Sequence, residues 1–188
     1  MTSTDLINWL LENGGPVIRY KTATELATDQ VKIDVEKLRS DLLKSEIVQK
    51  WLQLNPVSKL PGIYALHHSR SSIYENLMNK LIQLGLNSTF KAYDKFAQES
   101  LEILRTLMNL HNIFLKPFLI SLILSFLCRS GYENEELVRL ALDRRFDALK
   151  DFVQLKKLDF SWSLYGIWRK QTGKEMGRNR INFLDGEN

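Results

Sequence analysis

Two adjacent histidines, His67 and His68, are the residues of this sequence best suited to metal chemistry, and Glu75 follows them closely. Imidazole nitrogens and a carboxylate are ligands that zinc accepts in proteins. Neighbouring histidines point in different directions unless the backbone bends, and the remaining histidine, His111, lies far along the chain. The pattern therefore favours an exposed or hydrogen-bonded pair of loop histidines over a metal site, and we predict no bound metal or cofactor.

The same region has groups that could bind an anion. The serine-rich stretch 69–72 includes Arg70 and lies where a helix is predicted to start, and helix starts attract anions through their free N–H groups. A serine at this place is more often a simple helix cap. Arg19 opens another predicted helix, where a structural hydrogen bond is favoured over ligand binding. The candidate ligand- or anion-binding residues are Arg19, His67, His68, Arg70, Tyr74 and Glu75.

The last part of the chain, residues 159–188, combines aromatic and basic side chains. Such a mixture suits phosphate backbones and stacked bases. It also arises without any ligand when arginine and lysine stems cover a tryptophan, and we favour this second interpretation. The candidate nucleic-acid- or anion-binding residues here are Trp168, Arg169, Lys170, Lys174, Arg178 and Arg180.

Charge and cysteine content limit the classes of function. The net charge of +4 is small, and nucleic-acid binding normally needs such an excess gathered on one face. The single cysteine, Cys128, ends an apolar run that begins at Phe118, so we expect a buried thiol and no disulfide. That run is shorter than the roughly 20 residues needed to span a bilayer. We expect no signal peptide, no membrane span and a cytoplasmic location.

Apolar residues recurring every three or four positions predict an all-α fold of about eight helices in a single domain, residues 1–188. Glycine and proline, which interrupt helices, separate the segments. One face of the second helix is predicted to contain Val17, Tyr20, Ala23, Thr24 and Ala27. Ser3 or Thr4 is predicted to cap the first helix. The other predicted helices begin at Pro16, Asp34, Ser45, Ser72, Thr89, Pro117 and Glu133.

Two parts of this pattern suggest how the helices are arranged. The segments 77–87 and 123–133 are each an apolar helix closed by glycine, a hydrophobic residue and a polar turn. Their glycines, Gly85 and Gly131, are 46 residues apart, a spacing typical of two-helix repeats. Residues 55–71 form the longest irregular stretch, and long ordered loops are often functional.

The segments 9–12 and 15–26 resemble the opening of bacterial proteins related to the α/α-toroid of prenyltransferases and terpene cyclases. Ile18-Arg19 followed by Ala23 is also similar to the second helix of a HEAT repeat. The likeness covers residues 5–150 and implies antiparallel hairpins stacked as an α/α superhelix or partial toroid. The aspartate-rich motif, the Gln-Trp repeats and the zinc ligands of the toroid enzymes are not found, so the resemblance implies architecture and not catalysis.

The sequence therefore favours a helical-repeat binding or scaffold module over an enzyme. Its concave face would bind a protein, a peptide or a small ligand, because stacked repeats produce extended concave surfaces. Dimerisation would cover apolar edges of the terminal repeats. The alternatives are a nucleic-acid-binding protein similar to HEAT-like DNA-repair glycosylases and an enzyme on a prenyltransferase-like toroid.

Overall fold

The computed structural model describes residues 2–27, 33–54, 66–67, 74–110 and 115–154. Over these ranges the chain forms eight α-helices and one π-helical segment and contains no strand, which confirms the predicted all-α class. The helices are α1 (Ser3–Asn13), α2 (Pro16–Lys21), α3 (Val35–Lys44), α4 (Glu46–Leu52), α5 (Tyr74–Gln83), α6 (Lys91–Asn109), α7 (Lys116–Arg129) and α8 (Glu136–Val153). The π-helical segment, Thr22–Leu26, continues α2 directly.

Local hydrogen bonds explain where the first helices start. Thr2 caps α1, so the predicted cap at Ser3 or Thr4 was wrong. The amide of Asp5 donates to Thr2 Oγ1 at 3.2 Å, and the amide of Thr2 donates to Asp5 Oδ2 at 2.7 Å. This reciprocal pair needs the three-residue spacing of a capping box. Pro16 begins α2 and Asp34 caps α3, both as predicted.

The buried face of the second helix differs from the one that the sequence predicted. Thr22 is buried and Thr24 is exposed, whereas the regular helical period placed Thr24 on the inner face. The reason is the π-helical segment, in which the amide of Ala27 donates to the carbonyl of Thr22 at 2.9 Å. A bond spanning five residues widens the turn and rotates every later side chain relative to an α-helix.

The core lies mainly among α5, α6, α7 and α8. Helix α7, apolar on most of its surface, packs against α5, α6 and α8. In the N-terminal half, α1 packs on α2, α2 on α3 and α3 on α4, which in turn contacts α5. Among the described helices, none is long and apolar enough to cross a membrane. The buried residues of α7 are Lys116, Leu119, Ile120, Ile123, Leu124, Phe126 and Leu127.

The two predicted glycine turns have the same hydrogen-bonding pattern. Gly85 and Gly131 have φ angles of 94° and 85°, in the left-handed region that glycine adopts without strain. The amide of the next residue donates back into the helix, from Leu86 to Leu81 at 3.1 Å and from Tyr132 to Leu127 at 2.9 Å. These are the bonds of a Schellman motif, and they satisfy carbonyls that the helix end leaves free.

Replacing Gly131 by alanine is expected to lower the free energy of unfolding by about 2 kcal/mol, because a left-handed conformation costs an L-residue roughly 1–2 kcal/mol. The new Cβ would also lie 2.5 Å from Ser88 Oγ, so Ser88 must move. Gly15→Ala is the control, since Gly15 has φ −68° and no atom lies within 4 Å of the place that its Cβ would take. Urea unfolding should show a change below about 0.5 kcal/mol for the control. Equal losses in both variants would contradict the prediction.

Candidate functional site

An open cleft of about 310 Å³ lies where α1, α2 and the start of α3 meet. This volume is at the lower end of the range typical of small-molecule sites. Its walls combine charged, amide and apolar side chains from all three helices. The lining residues are Asn8, Leu11, Glu12, Arg19, Ile33, Asp34, Lys37 and Leu38.

Local sequence fixes the walls of this cleft. Gly14 ends α1, and a Cβ at this position would lie 2.5 Å from the carbonyl oxygen of Leu10 and 2.8 Å from Cγ2 of Ile18. Only glycine therefore allows the tight turn that brings α2 back against α1. On the opposite wall, Asp34 Oδ1 accepts a hydrogen bond from the amide of Lys37 at 2.9 Å, which fixes the start of α3.

Arg19 is the most informative residue of the cleft. Its side chain is half-buried, and its Nε is buried without any hydrogen-bond partner within the part of the chain that the structure describes. Leaving a buried donor unsatisfied costs roughly 1–3 kcal/mol, more for a charged group. Buried polar atoms without a partner are uncommon in folded proteins, and each needs a physical explanation. A ligand that supplies the missing acceptor is one such explanation.

The π-helical segment begins three residues after Arg19. Thr24 in this segment donates through its Oγ1 to the carbonyl of Tyr20 at 3.0 Å. Insertions of this kind cost helix stability and occur frequently at functional sites. The segment therefore lies about one turn beyond Arg19 on the same continuous stretch of helix.

The charges around the cleft are balanced. Arg19 and Lys37 are positive, and Glu12 and Asp34 are negative. Leu11, Ile33 and Leu38 add an apolar surface between them, of which Leu38 is buried in the core. A cleft with this lining can hold a ligand that has an acidic group, a basic group and an apolar part close together.

The predicted loop residues lie elsewhere. His67 Nδ1 is 2.5 Å from Glu75 Oε2, and the imidazole packs edge-on against the Phe118 ring with centroids 4.8 Å apart. Tyr74 is buried, and its hydroxyl donates to Ser100 Oγ at 2.7 Å. The structure therefore brings His67 and Glu75 together in a pair, places Tyr74 in the core, and leaves all three outside the cleft that Arg19 lines.

Several predicted site residues lie outside the described ranges. They are His68, Arg70, Trp168, Arg169, Lys170, Lys174, Arg178 and Arg180. Within those ranges, no group of three or more histidine, cysteine, aspartate or glutamate side chains could hold a metal ion. Cys128 is half-buried, and burial together with the nearby Glu133 raises the pKa of its thiol.

The sequence analysis included Arg19 among the candidate binding residues, while favouring a structural hydrogen bond for it, and did not include the other residues that line the cleft. Asn8, Leu11 and Glu12 have the spacing of one helical face, as do Asp34, Lys37 and Leu38. Each face could be recognised from the sequence, whereas their meeting in one cleft depends on how the helices pack. No family model, curated protein or solved structure matches this chain.

Proposed function

We propose that this protein is a binding module whose α1–α2–α3 cleft takes a small ligand with a carboxylate beside an apolar group. The observation that carries the proposal is the buried Nε of Arg19, a cationic donor without an acceptor among the described residues. A carboxylate bound side-on to Nε and one Nη of a guanidinium makes two parallel charge-assisted hydrogen bonds. Because Nε is buried, such a ligand would reach it only if the Arg19 side chain rotated toward the cleft.

The remaining lining residues narrow the ligand class. Lys37 adds a second positive charge for the carboxylate, and Leu11 with Ile33 offers apolar contact. Glu12 and Asp34 can accept hydrogen bonds from an ammonium group, so the balanced charge of the cleft complements a zwitterion. An apolar amino acid, or the C-terminal residue of a short peptide, combines these three features in a volume that the cleft can hold.

The proposal also includes the way in which the helices stack. Helix pairs that pack on their neighbours from α1 to α5 are compatible with HEAT-like stacking as a superhelix or partial toroid. In that arrangement the cleft between α1, α2 and α3 would be one position on a longer concave surface. In this proposal, the scaffold predicted from the sequence holds α1, α2 and α3 in the positions that form the cleft.

Leucine, N-acetylleucine and leucinamide test the proposal by isothermal titration calorimetry. We expect leucine and N-acetylleucine to bind and leucinamide to fail, because only leucinamide lacks the carboxylate. Arg19→Gln should weaken leucine binding roughly tenfold or more, the expected effect of losing hydrogen bonds to a charged group. The control is Arg105→Gln, since Arg105 is an exposed residue of α6 whose guanidinium donates a hydrogen bond to Glu102 of the same helix.

Three results would overturn this proposal. Leucinamide could bind as well as leucine, Arg19→Gln could bind leucine with unchanged affinity, or none of the compounds could bind at millimolar concentration. Circular dichroism of both variants checks that each retains the helical fold. A further comparison of leucine with N-acetylleucine measures how much Glu12 and Asp34 contribute through the ligand ammonium.

A further inference from the structure

The C-terminal half of α8 exposes a stripe of apolar side chains. Phe146, Leu149 and Val153 are 57%, 45% and 74% exposed, and their spacings of three and four positions place them on one face of the helix. The other side of α8 is buried in the core through residues that include Ala141 and Ala148. Single exposed apolar side chains are common in proteins, whereas a contiguous row is typical of a contact surface. The stripe is therefore a surface on which a partner is expected.

The stripe ends where α8 ends, and a further part of the chain follows it directly. The amide of Gln154, the residue after α8, donates to the carbonyl of Lys150 at 3.1 Å, and residues 155–188 come next. A segment joined directly to a surface meets it at an effective concentration on the order of millimolar, which a separate molecule rarely reaches. Residues 155–188 are therefore the occupant that this stripe meets most often.

The sequence after α8 contains side chains that suit this stripe. Phe160, Leu164 and Trp168 recur at every fourth position, and Trp162 adds a second indole. Aromatic side chains bury a large apolar area each, so a few of them are enough to cover three exposed residues. The composition of positions 160–168 thus complements the exposed face of α8.

The order of the charges agrees with an antiparallel path along α8. Residues 155–159 separate Gln154 from Phe160, and connections of about two to five residues typically join antiparallel helices. A chain that reverses direction there places its apolar positions beside the stripe and its basic stretch, 169–180, further back along α8. Opposite charges on a surface add little affinity, but they favour one direction of docking. The exposed acids around the start of α8 are Glu133, Glu135 and Glu136.

The lengths of the two parts also agree. Helix α8 has 18 residues, so it is about 27 Å long at the rise of an α-helix. Residues 160–180 cover this distance even if each adds no more than the helical rise. The basic stretch therefore reaches the acidic start of α8 while the apolar positions lie on the stripe.

We propose that the stripe of Phe146, Leu149 and Val153 is a docking surface for the C-terminal segment of the same chain, with residues 160–168 on the stripe. Docking within one molecule is expected to be favoured about tenfold, which corresponds to about 1.4 kcal/mol shared among several side chains. The segment can therefore leave α8 without unfolding the helices. This surface shares no residue with the cleft of α1, α2 and α3 and does not depend on the function proposed for that cleft.

NMR of the full-length protein tests the contact directly. We expect nuclear Overhauser effects between the indole protons of Trp162 or Trp168 and the methyl groups of Leu149 and Val153. The double variant Leu149→Gln/Val153→Gln should remove these effects. It should also make amide hydrogen exchange in residues 160–168 about tenfold faster, because the docked state is lost.

Leu140→Gln is the matched control. Leu140 is a leucine of the same helix with a similar exposure, 46%, but the helical period places it on a different side from the stripe. This variant should leave the Overhauser effects and the exchange of residues 160–168 unchanged. Circular dichroism checks that each variant retains the helical fold.

Three results would overturn the proposal. The natural chain could show no Overhauser effect between the tryptophans and the stripe, or the double variant could exchange its amides in 160–168 as slowly as the natural chain. In a mixture of ¹³C-labelled and unlabelled protein, the effects could arise only between molecules, which would assign the stripe to a second copy. Val153→Gln alone serves if the double variant does not fold, because Val153 is the most exposed residue of the stripe.

Discussion

Phe90→Ala is expected to lower the free energy of unfolding by about 3–5 kcal/mol, the range typical of removing a buried phenylalanine. Phe90 has no exposed surface and immediately precedes α6. Its ring packs edge-on against Tyr20 of α2 with centroids 5.4 Å apart, and the guanidinium of Arg39 of α3 lies 4.6 Å from its centre. The side chain thus joins the N-terminal helices to the core around α7, and its loss leaves a cavity between them.

Urea unfolding followed by circular dichroism measures this effect, with Phe146→Ala as the matched control. Phe146 lies on α8 and is 57% exposed, so its removal should change stability by less than about 1 kcal/mol. A loss in Phe90→Ala no greater than that of Phe146→Ala would show that the N-terminal helices do not depend on this contact. Leucine binding at the proposed α1–α2–α3 site should also weaken in Phe90→Ala if this contact positions the three helices.

Most of the helical framework could be predicted from sequence because it depends on short-range patterns. The glycine turns at Gly85 and Gly131 were predicted, since a left-handed helix end followed by a hydrophobic residue is a local motif. The inner face of the second helix was not predicted correctly. The 3.6-residue period assumes a regular α-helix, and the π-helical segment departs from it. Helix α8 begins at Glu136 and not at Glu133 because the residues after Gly131 first form a turn, in which the amide of Glu135 donates to the carbonyl of Tyr132.

The candidate site could be predicted less well from the sequence, because it depends on contacts between helices. Arg19 could be identified from its residue type and its place in α2, but the sequence cannot show that its Nε lacks a partner. The residue type of Tyr74 suggested a ligand contact, whereas its position places it opposite Ser100 in the core.

Raising the pH from 10 to 12 is expected to destabilise the protein strongly, because tyrosines that are buried in the folded state ionise at a higher pH than those of the unfolded chain. Burial raises the pKa of Tyr93 to about 12, and it raises the pKa of Tyr74 further. Burial and the acceptor Asp94, 2.8 Å from the Tyr132 hydroxyl, raise the pKa of Tyr132 in the same direction. An unfolded tyrosine titrates near pH 10, so above this pH the unfolded chain loses protons that the folded chain keeps.

The sign and size of the effect follow from proton linkage. Stability is fully present below pH 10 and falls as the pH approaches the raised pKa values, because the folded state binds more protons. Each such tyrosine contributes a slope of roughly 1.4 kcal/mol per pH unit, so Tyr74 and Tyr93 together contribute about 2.7 kcal/mol per unit. Over two pH units the two tyrosines together would remove at most about 5 kcal/mol, which is at the lower end of the stability of natural domains.

Tyr74→Phe separates the effect of Tyr74 ionisation on stability from the effect of lysine deprotonation, which occurs in the same pH range. At neutral pH the variant should lose only about 0.5–1.5 kcal/mol, because Ser100 Oγ keeps its hydrogen bond to the carbonyl of Phe96 at 2.6 Å. Between pH 10 and 12 its stability should fall less steeply than that of the natural chain, by roughly 1.4 kcal/mol per unit. Urea unfolding at each pH gives both slopes, and absorbance at the tyrosinate band reports ionisation directly. Parallel slopes in the two proteins, or tyrosinate formation that precedes unfolding for every tyrosine, would mean that Tyr74 is not held neutral by burial.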